Sequence, residues 1–80
     1  MLELLGTVSC HLCDDAERVL KQLSLVRPIA WQYIDIALDD ALCLQFGERI
    51  PVLRHGEGAA LYWPFSDLDI ERFLVQGITQ

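Results

Sequence analysis

The 80-residue chain is 52% hydrophobic and has a net charge of −6, from six basic and twelve acidic residues. This length suits one domain with a single core, and we treat residues 1–80 as one domain. Nucleic acids and anionic membranes bind clustered positive charge, so the acidic balance excludes both as expected partners. The three cysteines are an odd number and two lie three residues apart, which excludes a structural disulfide framework.

The N-terminus predicts no export. Met1-Leu2-Glu3 has no basic segment, and the apolar run that follows is too short for a signal peptide. No apolar stretch reaches transmembrane length. We therefore expect a soluble cytoplasmic protein. In that reducing compartment, a disulfide between neighbouring cysteines would be transient and chemical rather than structural.

The first half of the chain predicts a strand, a helix and a second strand. Residues 2–5 are a short apolar run, typical of a buried strand. A helix is expected to begin at residue 9 or 10 and to end at 23 or 24, because its apolar residues recur at threes and fours. They are Cys13, Ala16, Val19, Leu20 and Leu23. Residues 27–28, Arg-Pro, interrupt the helical pattern. Residues 31–36 are the second strand, which should be parallel to the first.

A short helix is expected over residues 38–46, and it should end at Gly47. Its inward row would be Leu38, Leu42 and Phe46. Cys43 lies beside this row. We expect it to be a free, buried cysteine that packs as a small hydrophobic residue.

The rest of the chain predicts a hairpin and a closing helix. Residues 50–54 and 60–63 are strands joined by a turn at 55–58. Ser66 is a good N-cap for the last helix, which should end at Gly77. The inward residues of that helix would be Leu68, Ile70, Phe73 and Leu74.

Two cysteines, in the segment Cys10-His11-Leu12-Cys13, coincide with the predicted start of the first helix. Thiols at i and i+3 on a first turn are close enough to form a small disulfide ring. The unpaired N–H groups and the helix dipole there favour a thiolate. A strand, a turn, C-x-x-C and a helix are together typical of a thioredoxin-like redox motif. A charged His11 would stabilise a thiolate at Cys10, whereas the carboxylates of residues 14–15 oppose it.

A zinc site is the alternative interpretation of the same two cysteines. Structural zinc needs four ligands, often supplied as two close pairs. The remaining candidates, Cys43, His11 and His55, are scattered without a second pair. We therefore predict no metal site.

The order βαβ-α-ββ-α, the early Cys10-x-x-Cys13 and the later Ile50-Pro51 resemble a minimal glutaredoxin-like protein of the thioredoxin-fold superfamily. The resemblance covers nearly the whole chain. It implies an α/β domain with a four-stranded mixed sheet, order 2-1-3-4, flanked by helices. It also implies that Cys10 is the nucleophile, Cys13 the resolving thiol, and Ile50-Pro51 a cis peptide facing them. The backbone of that peptide would bind an extended substrate or glutathione.

Several positions depart from the glutaredoxin pattern. Glutaredoxins typically have Pro-Tyr or Pro-Phe between the cysteines, often a lysine before them, and Gly-Gly before the last helix. Here the first pair is His-Leu, residues 7–9 contain no lysine, and residues 63–65 are Trp-Pro-Phe. Arg49 and the helix start at Ser66-Asp67 are the remaining candidates for anion binding. We therefore expect weak or no glutathione preference, as in a glutaredoxin-like subgroup of unknown substrate.

These observations predict a monomeric thiol–disulfide oxidoreductase, active in cell redox homeostasis, with no metal or organic cofactor. Its partner would be a disulfide-containing protein or a small thiol, with glutathione as a less favoured co-substrate. The alternative is a non-catalytic thioredoxin-fold binding module, or a metal carrier that uses the same two thiols.

Overall fold

The chain forms one sheet with helices on both faces. The computed structural model describes residues 2–56 and 58–76. In chain order the elements are β1 Leu2–Gly6, α1 His11–Ser24, β2 Trp31–Asp35, a 3₁₀ turn Ile36–Leu38, α2 Asp40–Phe46, β3 Val52–His55, β4 Ala59–Tyr62 and α3 Asp67–Gln76. None of the helices in these two ranges is long and apolar enough to cross a membrane.

The four strands lie in the order β2-β1-β3-β4. β1 pairs with β2 in parallel and with β3 antiparallel, and β3 pairs antiparallel with β4. A parallel pair requires a long crossover connection, and α1 lies in that connection. The predicted α/β fold, a mixed sheet of order 2-1-3-4 with helices against it, is confirmed.

Two cores follow from the alternation of side chains along the strands. Leu4 of β1 belongs to the larger core, which α1 and α3 cover. Its neighbour Leu5 belongs to the smaller core, together with Phe46 of α2. The predicted apolar stripe of α1 is confirmed, and its buried residues are Cys13, Ala16, Leu20 and Leu23. The start of α1 is thereby fixed against the sheet.

The segment before α2 differs from the prediction of one helix over residues 38–46. The carboxylate of Asp35 accepts a hydrogen bond from the Ala37 N–H at 3.0 Å and caps the 3₁₀ turn, so β2 ends at Asp35 rather than at residue 36. α2 begins only at Asp40, because Asp39 caps it by accepting from the Leu42 N–H at 3.1 Å. Leu38 precedes α2 and is 86% exposed, so its predicted inward position is wrong.

The predicted burial of Cys43 is also wrong, because this cysteine is exposed. α2 has seven residues and buries Phe46, with Leu42 partly buried beside it. Cys43 follows Leu42 directly, and adjacent residues of a helix do not share a face. Its thiol is therefore accessible to reagents.

The last part of the chain follows the prediction with small shifts. β3 and β4 begin two residues later and one residue earlier, respectively, than predicted. In α3, Ile70 and Phe73 are buried and Leu74 packs against them, but Leu68 is exposed. Leu68 and Ile70 are two positions apart, so one helix cannot bury both on a single face. The predicted end of this helix at Gly77 lies outside the described residues.

Candidate functional site

The two cysteines lie where the connection from β1 enters α1. Cys10 is the N-cap of α1, in an extended conformation with φ −98° and ψ 107°. Cys13 lies one turn further on, with the two Cα atoms 5.1 Å apart and the sulfurs joined in a disulfide. Cys13 is fully buried, whereas Cys10 is half-buried. Of these two cysteines, Cys10 is therefore the one whose sulfur a partner can reach.

The first turn of α1 directs a hydrogen-bond donor at Cys10 Sγ. The backbone N–H of Cys13 donates to Cys10 Sγ at 3.0 Å. First-turn N–H groups have no partner within a helix, so this bond is available to a thiolate as well as to a disulfide. His11, between the two cysteines, and Asp14, directly after Cys13, are both exposed. The local geometry thus supports negative charge on Cys10.

Gly6 and Tyr33 lie close to the buried sulfur, Cys13 Sγ. A Cβ placed on Gly6 would lie 2.6 Å from the Tyr33 hydroxyl oxygen and 2.9 Å from Cys13 Sγ. Both distances are far shorter than an ordinary van der Waals contact, so a side chain at Gly6 does not fit. The Tyr33 hydroxyl donates a 3.0 Å hydrogen bond to the carbonyl of Thr7. That bond joins β2 to the loop that precedes Cys10.

The phenol of Tyr33 is held in its protonated form. Burial raises the pKa of Tyr33, and the carboxylates of Glu17, Asp14 and Asp35 raise it further because they oppose a phenolate. A tyrosine ordinarily ionises near pH 10, so this hydroxyl keeps its proton throughout the neutral range. Beside Cys13 it is a donor and not a base.

A surface groove of about 320 Å³, which we call the dithiol groove, adjoins the cysteine segment. It is lined by Leu12, Glu48, Arg49, Ile50, Tyr62 and Trp63. Leu12 lies between the two cysteines in the sequence and is the residue of their segment that lines the groove. The guanidinium carbon of Arg49 lies 5.3 Å from the centre of the Tyr62 ring, a cation–π contact. The groove therefore combines apolar side chains with one acidic and one basic group.

The Ile50–Pro51 peptide bond is cis, as the resemblance implied. Ile50 lines the dithiol groove, whereas Pro51 is fully buried and its carbonyl accepts from the Trp63 N–H at 3.3 Å. Within the part of the chain that the structure describes, no backbone–backbone hydrogen bond uses Ile50. A second cis bond, Trp63–Pro64, was not predicted.

Comparison with known proteins agrees with this geometry. The family described as Glutaredoxin-like domain (DUF836) matches residues 1–75. The chain belongs to this glutaredoxin-like family. A search of curated proteins finds no match.

Solved structures of one protein resemble this glutaredoxin-like chain. The X-ray structure of the Northeast Structural Genomics target protein XcR50 from X. campestris is 37% identical, with a TM-score of 0.80 and coverage of 94% of this chain and 96% of that one. The solution structure of XcR50 is 38% identical, with a TM-score of 0.76 and coverage of 92% and 91%. The dithiol pair and the family together indicate a redox-type thioredoxin fold.

The start of α3 is capped by the glutaredoxin-like chain itself. The Ser66 N–H donates to the Asp69 carboxylate at 3.0 Å, and the Asp69 N–H donates to Ser66 Oγ at 3.3 Å. This reciprocal pair is a capping box and confirms Ser66 as the N-cap. The Leu68 N–H donates to its neighbour Asp67 at 2.8 Å. Neither Ser66 nor Asp67 lines the dithiol groove.

Of the predicted site residues, the structure brings Arg49 and Ile50 to the dithiol groove, and it leaves Ser66 and Asp67 outside it. Sequence reasoning missed Gly6 and Tyr33. A glycine that ends a strand shortly before C-x-x-C was a usable signal. Tyr33 had none, because its position depends on the register between two strands.

Side chains around Trp63 play two parts. Trp63 lines the dithiol groove and packs edge-on against the buried ring of Phe65, with ring centres 5.0 Å apart. Phe65 therefore supports the groove from the core.

Across residues 2–56 and 58–76, no three His, Cys, Asp or Glu side chains are grouped as a metal site would require.

Proposed function

We propose that this glutaredoxin-like domain is a thiol–disulfide oxidoreductase that reduces disulfides of proteins or small molecules. The observation that carries the proposal is the unequal burial of two cysteines within one helical turn. Cys10 is half-buried at the N-cap and Cys13 is fully buried. A partner disulfide can reach only the first sulfur, so the roles differ: Cys10 attacks the substrate and Cys13 resolves the intermediate.

The reaction takes place in two exchange steps. The Cys10 thiolate attacks one sulfur of the substrate disulfide, and the other substrate sulfur leaves as a thiolate. The Cys13 thiolate then attacks Cys10 Sγ, and the second substrate sulfur leaves as a thiolate. The substrate has gained two electrons, and the protein now holds the Cys10–Cys13 disulfide. An external dithiol or thiol reductant returns the protein to its starting state.

Several contacts favour this chemistry at Cys10. The Cys13 N–H, 3.0 Å from Cys10 Sγ, would stabilise the thiolate of Cys10 that attacks the substrate. The N-terminus of α1 adds the positive end of a helix dipole. Because α1 is anchored by its buried stripe, these donors are held in place before substrate arrives.

The dithiol groove favours an extended peptide as the substrate. Leu12, Ile50 and Trp63 offer apolar surface close to the redox pair. The Ile50 N–H and carbonyl, which no described backbone group uses, would pair with the peptide backbone as an added strand does. Glu48 and Arg49 would discriminate among peptides by charge.

Glutathione fits less well than a peptide. It carries two carboxylates, which require cationic or N–H donors. At the start of α3 the Ser66 and Leu68 N–H groups already bond to aspartates of the chain. Those aspartates would repel a carboxylate of glutathione. Arg49 is the basic group in the dithiol groove, and it lies there beside Glu48. We therefore propose that glutathione is a poor substrate.

To test the activity, reduced protein is mixed with a fluorescent peptide disulfide under single-turnover conditions, and reduction of the peptide is measured. The parent should reduce it, Cys10→Ser should not, and Cys13→Ser should form a mixed disulfide visible as a mass increase at Cys10. Cys43→Ser is the matched control and should react like the parent. Equal reactivity of Cys10→Ser and the parent would refute the proposal. A reduced protein that binds Zn²⁺ tightly and reduces no disulfide would instead be a metal carrier.

Glutathione preference is tested separately. Cys13→Ser protein is incubated with oxidised glutathione and with a peptide disulfide of equal concentration, and the mass is followed over time. The peptide adduct should form faster. Rapid, stable glutathionylation, together with strong parent activity on a glutathione mixed disulfide, would make the domain an ordinary glutaredoxin.

A further inference from the structure

We propose that Tyr33 is the hydrogen-bond donor that holds the thiolate of Cys13 during the resolving step. This inference rests on the proposed function, because it assigns a role within the second exchange. It adds a positioning residue on β2 to the two cysteines and the dithiol groove.

The geometry brings the Tyr33 hydroxyl and the inner sulfur to one point. That point is the place of the absent Cβ of Gly6, 2.6 Å from the hydroxyl oxygen and 2.9 Å from Cys13 Sγ. The two atoms cannot be farther apart than the sum of these distances. Gly6 has no side chain, so nothing at position 6 separates them. Rotation of the freed Cys13 side chain toward this point would bring its sulfur to the hydroxyl.

The hydroxyl has one proton and two possible acceptors. In the disulfide form it donates to the Thr7 carbonyl at 3.0 Å. When the Cys10–Cys13 bond opens, Cys13 can become a thiolate, which as an anion is the stronger acceptor. The proton of Tyr33 then turns toward Cys13, and the Thr7 carbonyl loses this partner. The loop before Cys10 thereby responds to the redox state of the pair.

The carboxylates around this point disfavour a thiolate at Cys13, so a hydrogen-bond donor is needed to stabilise it. Asp14 and Glu17 of α1 and Asp35 of β2 all act on the Tyr33 phenol. Residues 7–9 between β1 and Cys10 carry no charge. A buried thiolate among carboxylates is disfavoured by desolvation and by repulsion. The same two influences raise the pKa of Tyr33 and keep its proton in place, so the hydroxyl is ready to donate.

No proton leaves Tyr33 in this scheme. The Cys13 thiolate attacks Cys10 Sγ, the bond from Cys10 to the substrate sulfur breaks, and the substrate leaves as a thiolate. Tyr33 lowers the cost of forming the attacking anion and then returns its hydrogen bond to Thr7. Its contribution is a larger fraction of Cys13 in the reactive form at a given pH.

The test measures ionisation directly and needs no substrate. The ¹³Cβ shift of Cys13 is followed against pH in Cys10→Ser/Cys43→Ser protein, with and without Tyr33→Phe. Phenylalanine keeps the ring and removes only the hydroxyl. We expect the midpoint of Cys13 to rise by about one pH unit, roughly a tenfold loss of thiolate. Cys10 in Cys13→Ser/Cys43→Ser protein is the matched control, and its midpoint should stay in place.

A second measurement covers the case in which Tyr33→Phe folds poorly. In Cys10→Ser protein with native Tyr33, the ¹³Cζ shift of the tyrosine should change with the midpoint of Cys13. No such change, or equal midpoint shifts at Cys10 and Cys13 in the variant, would overturn the inference. If the Cys13 midpoint moves but no disulfide is reduced, the donor role holds and the proposed function fails.

Discussion

The guanidinium of Arg54 donates two hydrogen bonds, of 3.1 and 2.8 Å, to one carboxylate oxygen of Glu3. The two residues face each other across the β1–β3 ladder. Their side chains are only 18% and 24% exposed, so solvent screens the pair less than it screens a surface ion pair. The sheet therefore carries a charged cross-strand link between its two central strands.

We expect this link to stabilise the fold measurably. A double-mutant cycle with Glu3→Gln and Arg54→Gln should give a coupling free energy of about 1 kcal/mol, near the upper end for cross-strand pairs. The control pair is Asp15 with Arg18, whose carboxylate oxygen and guanidinium nitrogen are also 2.8 Å apart but whose side chains are far more exposed. Its cycle should give about 0.3 kcal/mol or less. Denaturant unfolding measures both, and equal couplings would show that burial does not matter here.

Gly6→Ala should destabilise the protein because its Cβ would meet the Tyr33 hydroxyl and Cys13 at distances that side chains do not tolerate. We expect a loss of about 1–3 kcal/mol in the free energy of unfolding, the usual cost of overpacking a core. Gly58→Ala is the control, since nothing lies within 4 Å of a Cβ there. It should change stability by less than about 0.5 kcal/mol. Two equal losses would remove the steric explanation.

The sequence predicted the fold well because its signals are local. The apolar stripe of α1, the C-x-x-C pair and the cap at Ser66 each lie within one or two helical turns. Tyr33 could not be predicted at the site, because its place depends on the parallel register that pairs it with Leu4. That register is set by tertiary packing and not by neighbouring residues.

The errors around α2 have a similar origin. Asp35, Asp39 and Asp40 are all good N-cap residues, and the periodicity alone does not decide among them. The chain uses Asp35 for a 3₁₀ turn and Asp39 for α2. This choice moved Leu38 out of the helix.

The three cysteines should differ in reactivity once the disulfide is reduced. At mildly acidic pH, an alkylating reagent should modify Cys10 first, because its thiolate is supported by the Cys13 N–H. Cys43 is exposed and should react next. Cys13, fully buried, should react last. Mass mapping of the modified peptides gives the order, and first modification of Cys13 would contradict the assigned roles.

Acid should loosen α3 through Asp69. The Ser66 N–H hydrogen bond, with smaller help from the Ser66 hydroxyl and Arg72, outweighs desolvation and lowers the pKa of Asp69 below 3.8. A carboxylate whose pKa is lowered on folding stabilises the native state fully above the unfolded value. That contribution is lost as the pH falls through the lower folded value. Denaturant unfolding from about pH 5 to pH 2 should therefore show a steeper loss of stability in the parent than in Asp69→Asn. Asp40→Asn, which also removes one carboxylate from the first turn of a helix, is the control for the change in net charge. An unchanged slope in Asp69→Asn would show that the capping box contributes nothing to acid sensitivity.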